Sequence, residues 1–77
     1  MSITANAEFR SDFLRNFADK RRAEGEAAAV LMVLDARDID VPVDARARIT
    51  GCTDLDQLET WVRRAAIATS VNDLFDS

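Results

Sequence analysis

Residues Glu24–Asp38 read EGEAAAVLMVLDARD, a run of helix formers in which Ala27, Val30, Leu31 and Leu34 recur at spacings of three and four. Side chains so spaced share one face of an α-helix, and the segment predicts a helix that buries this stripe. Upstream, from about Ala7, the chain stays rich in Ala, Glu, Arg and Leu without proline. Gly25 is its one weak point, costing about 1 kcal/mol against alanine. The expectation is a single helix over about 7–36. At roughly 1.5 Å per residue it runs about 45 Å, longer than a small globule needs, so its N-terminal end projects as an arm. On that arm Phe9, Phe13 and Phe17 stand at i, i+4 and i+8 with Leu14 beside them, a narrow apolar stripe. The intervening ADKRRAEGE, residues 18–26, carries no large apolar side chain, so the two stripes imply two separate burials.

Downstream, the helix is expected to stop near Arg37 and Asp38, because Asp is among the few residues other than glycine that tolerate a left-handed C-cap. Ile39, Val41 and Val43 around Pro42 predict an extended connector laying apolar side chains on the core, since proline fixes φ and lacks an N–H. Val43–Thr50 reads as a short helix, with Ala45 and Ile49 inward, that Gly51 ends at its C′ position. Thr53 with Asp56 resembles a capping box ahead of a helix from Asp54 to about Ala68. In it Leu55, Leu58, Trp61, Val62, Ala65 and Ala66 recur at threes and fours, with Arg63 and Arg64 placed as the helix dipole prefers. Ser70 with Asp73 repeats the cap logic before a last turn carrying Val71, Leu74 and Phe75. The fold class is therefore all-α: a long N-terminal helix, a short helix, a second core helix and a short C-terminal turn. Residues 1–26 form a helical arm or linker region and residues 27–77 a small helical domain.

A chain of 77 residues holds one small domain, and 48% hydrophobic with 31% charged residues is a foldable, globular composition. A core of this size rarely supplies more than about 3–5 kcal/mol, so a partner surface is an ordinary supplement and self-association is expected. Histidine is absent and Cys52 is the single cysteine, which removes His-based metal sites, Ser-His and Cys-His nucleophile pairs and any intrachain disulfide. The net charge of −4 opposes nucleic-acid binding, which needs a basic surface. No segment approaches the roughly 18 apolar residues of a membrane span, and MSITANAEFR has no secretory pattern, so the expected location is the cytoplasm.

Few constellations bear chemistry. Asp35, Asp38, Asp40 and Asp44 cluster along the connector, but no glycine lies between Gly25 and Gly51, so they lack the spacing of a calcium loop and read as caps and solvated loop. Two-metal nuclease chemistry needs convergent carboxylates and usually a lysine, whereas the only lysine is Lys20 on the arm. Cys52 and Trp61 read as core or rim residues. Lys20, Arg21 and Arg22 are the candidate anion contact, though Glu8, Asp12 and Asp19 offset the field that a membrane or single-stranded nucleic acid requires. The candidate protein interface is Phe9, Phe13, Leu14 and Phe17, whose i, i+4 anchors suit a helix-in-groove or helix–helix contact without needing net charge. No catalytic residue, cofactor or metal is expected.

Several motifs carry a family resemblance: VLDAR before a short connector, VP followed by RARI, and CTDLDQLETWVRRA running into ATSVNDLF, preceded by FRSDFLRNF and RAEGEA. With these, Glu24–Phe75 resembles the C-terminal helical domain of Rpn-like proteins, the recombination-promoting nuclease and transposase-related group of the PD-(D/E)XK superfamily. In such proteins the nuclease acids and lysine lie in an N-terminal domain with no counterpart here, so the resemblance implies no catalytic residue, only a helical domain of unknown function. Where the family usually has glycine after AR, this chain has Asp38, which implies a looser cap. The expected function is a non-catalytic association module, a homo-oligomer through the long helix or a partner of a full-length Rpn-like homologue. The alternative is an accessory, weakly nucleic-acid-binding segment of a nuclease system.

Overall fold

The computed structural model describes the backbone of residues 2–76 and the side chains of residues 18–76. Its elements are α1 (Ser2–Ala36), α2 (Val43–Thr50), α3 (Leu55–Ala65) and α4 (Asn72–Phe75), and no strand occurs among the described residues. The all-α architecture expected from periodicity is the one observed. On α1, Ala23, Ala27, Val30 and Leu34 are buried at successive spacings of four, three and four. That stripe faces α3 and α2, while α4 folds back onto α3. Ala45 and Ile49 of α2, Leu58, Trp61 and Ala65 of α3, and Ala68, Val71 and Leu74 complete one core. Trp61 keeps only 4% of its surface exposed, as its apolar neighbours at helical spacing require.

Helix α1 ends in a Schellman turn. Asp38 sits at φ 57, the left-handed region. Its N–H donates to the Asp35 carbonyl at 3.0 Å and the Ile39 N–H reaches the Leu34 carbonyl at 2.9 Å, satisfying two carbonyls that a helix end leaves free. Ile39 packs against the same core as Leu34, the apolar contact that accompanies this motif. The cap is thus tight with aspartate at the position glycine most often takes.

Val43 corrects the connector reading. Ile39 and Val41 pack on the core, but Val43 is 85% exposed. Val43 is already the first residue of α2, whose inward positions are Ala45 and Ile49, and helical geometry turns Val43 to the opposite side. Gly51 likewise does not adopt the left-handed C′ geometry, since it is the C-cap at φ −83, ψ −7. Close approach accounts for glycine there: a Cβ would come within 3.0 Å of the Ala47 carbonyl oxygen, which accepts the Gly51 N–H.

The cap of α3 falls one residue later than Thr53. Asp54, extended at φ −86, ψ 108, accepts from the backbone N–H groups of Asp56 at 3.0 Å and Gln57 at 3.3 Å. A carboxylate satisfies two orphan donors and meets the positive helix end with a full charge. At the other end α3 stops at Ala65, short of Ala68, and Ala66 is exposed. Continuation would require the Thr69 N–H to donate to the Ala65 carbonyl. Instead Thr69 N–H donates to Asp73 Oδ2 at 2.8 Å, and the Ala65 carbonyl accepts from the Arg37 guanidinium at 2.7 Å. Past that break, α4 lays Phe75 edge-on to Trp61, with ring centroids 5.3 Å apart and planes at 83°. The Arg48 guanidinium covers the Phe75 ring from α2 at 4.2 Å.

Asp38 pays a steric cost at positive φ that glycine would not. Asp38→Gly should stabilise the domain by about 0.5–1 kcal/mol, net of glycine's greater unfolded-state freedom. Thermal unfolding followed by Trp61 fluorescence should show Tm rising by roughly 2–8 °C.

Candidate functional site

Phe9, Phe13, Leu14 and Phe17, the stripe read from the sequence as a protein interface, lie outside the residues whose side chains are described. The downstream half of α1 is described. Lys20, Arg21 and Arg22 are all exposed there, but consecutive helical residues point about 100° apart, so the three fan over about 200° of the surface and do not converge. Asp19, Glu24 and Glu26 stand among them. Arg22 alone of the three turns toward α3, where it borders an open groove of roughly 600 Å³. The floor and walls of that groove are Gly25, Glu26 and Ala29 of α1 and Glu59 and Val62 of α3. Around Gly25 the space is empty: a Cβ built there would meet nothing within 4 Å.

The acidic connector is not assembled for a cation. Among the described residues no group of three or more His, Cys, Asp or Glu side chains is placed to hold a metal ion. Asp38 and Asp40 instead border a second, more polar cleft of roughly 330 Å³, shared with Pro42 and residues 69–72. Cys52 is half-buried, and its thiol donates to the Asp54 carbonyl at 3.7 Å, beside the N-terminus of α3.

Two arginines outside the candidate set organise the carboxyl-terminal half. Arg37 Nη1 donates to the carbonyls of Ala65 at 2.7 Å and Ala68 at 2.5 Å, meeting the negative end of α3 with a positive charge. Arg64 Nη1 does the same for the carbonyls of Leu74 at 2.8 Å and Asp76 at 2.6 Å. The sequence placed Arg64 near a helix end but gave no sign that it would serve α4 rather than α3. Arg37 carried a weaker signal, a base directly before a helix-ending Asp. Arg63, by contrast, only pairs with Glu59 across one exposed turn at 2.9 Å, a contact of about 0.3–0.5 kcal/mol.

Asp73 is held below its ordinary carboxylate value by the Thr69 backbone N–H, the Thr69 hydroxyl at 3.1 Å and the Ser70 N–H at 3.3 Å. These donors stabilise the ionised form, the opposite of the raised pKa a general acid requires. Among the described residues no polar or charged side chain is buried, and no buried side-chain nitrogen or oxygen lacks a partner. Among the described residues no helix is long and apolar enough to cross a membrane. Comparison with protein-family models, curated proteins and solved structures finds no match to this chain.

Replacing Arg37 with Met keeps its apolar stem and removes both donors, leaving two helix-end carbonyls short of a partner. The expected loss is about 1–3 kcal/mol, read from urea unfolding. Asp73 sets a pH dependence. Because its folded pKa is depressed, its contribution is fully present above the ordinary value of 3.8 and fades as pH falls through the lower folded value. At neutral pH, Asp73→Asn should therefore speed amide exchange at Thr69 and Ser70, and the difference from the wild type should vanish well below pH 3.8.

Proposed function

We propose that this chain is a non-catalytic helical association module, related to the C-terminal part of Rpn-like nucleases, which self-associates through Phe9, Phe13, Leu14 and Phe17. One observation carries the reading: the length of α1 relative to everything that packs on it. Helix α1 has 35 residues, whereas α2 has 8 and α3 has 11. At ~1.5 Å per residue α1 runs about 52 Å and α3 about 16 Å, so α3 is too short to follow α1 upstream of the segment holding Ala23 to Leu34. Each phenylalanine on the arm loses about 1.5–3 kcal/mol of burial while it stays in water. A partner helix recovers that energy without requiring net charge. The basic run supports an anion-binding role less well, because its three side chains fan apart.

The same logic admits a longer Rpn-like homologue as a partner in mixed assembly. Light scattering during size exclusion tests the core of the proposal. The expected result is a species heavier than the 8.5 kDa chain, reduced to the monomer by serine at positions 9, 13 and 17. If the triple variant has the same mass as the wild type, the arm is not the interface.

A further inference from the structure

The α1/α3 groove offers a receptor for the arm of another copy. We infer that the phenylalanine stripe of one chain docks into the groove floored by Gly25 in a second chain, so that association is head-to-tail. This rests on the association reading above and adds where the arm lands.

Four observations support this occupant. The first is exclusion of the chain's own arm. Residues 9–17 belong to the same continuous α1 as Gly25, and one unbroken helix cannot fold back into a groove on its own side. The second is shape. Gly25 and Ala29 present small surfaces four residues apart, the spacing of Phe9, Phe13 and Phe17, and open space stands above Gly25 where a ring can sit. Val62 gives the α3 wall an apolar surface. The third is charge. The groove rim carries Arg22, Glu26 and Glu59, and Glu26 makes no ion pair among the described residues. The arm brings Arg10 and Asp12 on opposite flanks of its stripe, one base and one acid to meet a rim of both signs. The fourth is area. Three phenylalanines carry on the order of 600 Å². That approaches the half-share of a small specific interface, about 1,200 Å² in total.

Geometry then fixes the symmetry. At about 100° per residue, the positions Arg22, Gly25, Glu26 and Ala29 lie about 170° around α1 from the mean direction of Phe9, Phe13 and Phe17. Donor stripe and receptor groove are on opposite sides of one rod. Two chains in contact through one arm and one groove therefore leave the other arm and the other groove facing away, and the contact is heterologous rather than two-fold. Assembly passes beyond the dimer, into an open chain or a closed ring, so the average mass rises with concentration instead of stopping at two copies.

Complementary variants test this. Gly25→Leu fills the groove, and open space at that position lets the helix accept the side chain without disturbing the fold. The F9S/F13S/F17S chain keeps the groove and loses the stripe. Light scattering should find each variant monomeric alone, and far-ultraviolet circular dichroism should find each as helical as the wild-type chain diluted to its monomer. An equimolar mixture should give a species of twice the 8.5 kDa chain mass and no larger, because each complex retains one dead arm and one dead groove. Association of Gly25→Leu at the wild-type level overturns the groove assignment and leaves the arm as a self-pairing surface. Failure of the two monomeric variants to pair overturns docking in trans. A wild-type chain that stays monomeric up to millimolar concentration overturns the docking and the association reading together.

Discussion

At the end of α1 the backbone turns through Asp38 in the left-handed region, and this leaves Arg37 aimed at the far end of α3. The two features sit on adjacent residues. The Schellman turn satisfies carbonyls of α1 and brings Ile39 back onto Leu34, while Arg37 satisfies carbonyls at Ala65 and Ala68. One short segment thus closes the last turn of one helix and caps the end of another, more than 25 residues away in sequence. Without it, the Ala65 carbonyl would be free for continued helix, and α3 would run on past the point where the chain must reverse to bring α4 home.

From that reversal the rest follows by hydrogen-bond accounting. Since the Thr69 N–H is not used by α3, Asp73 takes it, together with the Thr69 hydroxyl and the Ser70 N–H. This fixes the turn before α4, and Arg64 and Arg48 then both hold α4, one through its carbonyls and one over the Phe75 ring. Arg63 and Glu59 pair on the exposed surface, whereas Arg37, Arg48, Asp54, Arg64 and Asp73 work at helix ends, in the turn before α4 or over a ring, and no described charge enters the core.

Much of this was legible in the sequence and some was not, for identifiable reasons. The periodicities of Ala27, Val30 and Leu34 and of Leu58, Trp61 and Ala65 reported burial directly, because on a helix spacing alone sets the face. The stop at Asp38 was legible because few residues tolerate positive φ. Val43 was misread because an alternating pattern was carried one residue into a helix that had already begun. The C-terminal limit of α3 was missed because a capable helix former, Ala66-Ile67-Ala68, was overruled by a hydrogen bond from Arg37, which lies 28 residues away and leaves no local trace. The groove at Gly25 was noticed only as a weak point in a helix, since an empty space is defined by what α3 does opposite it.

The core mixes large and small pieces. Ala23, Ala27, Ala45, Ala65 and Ala68 stand among its buried residues beside Leu34, Ile49, Leu58, Trp61 and Leu74, so part of the core buries little apolar surface per residue. Heat capacity follows apolar area, and a core poor in it gives a small change on unfolding. A stability curve for such a domain is shallow, with little loss on cooling and a broad, low-enthalpy melt on warming. Its shape in a calorimeter is set by how little area 77 residues can bury, a share of it under alanines.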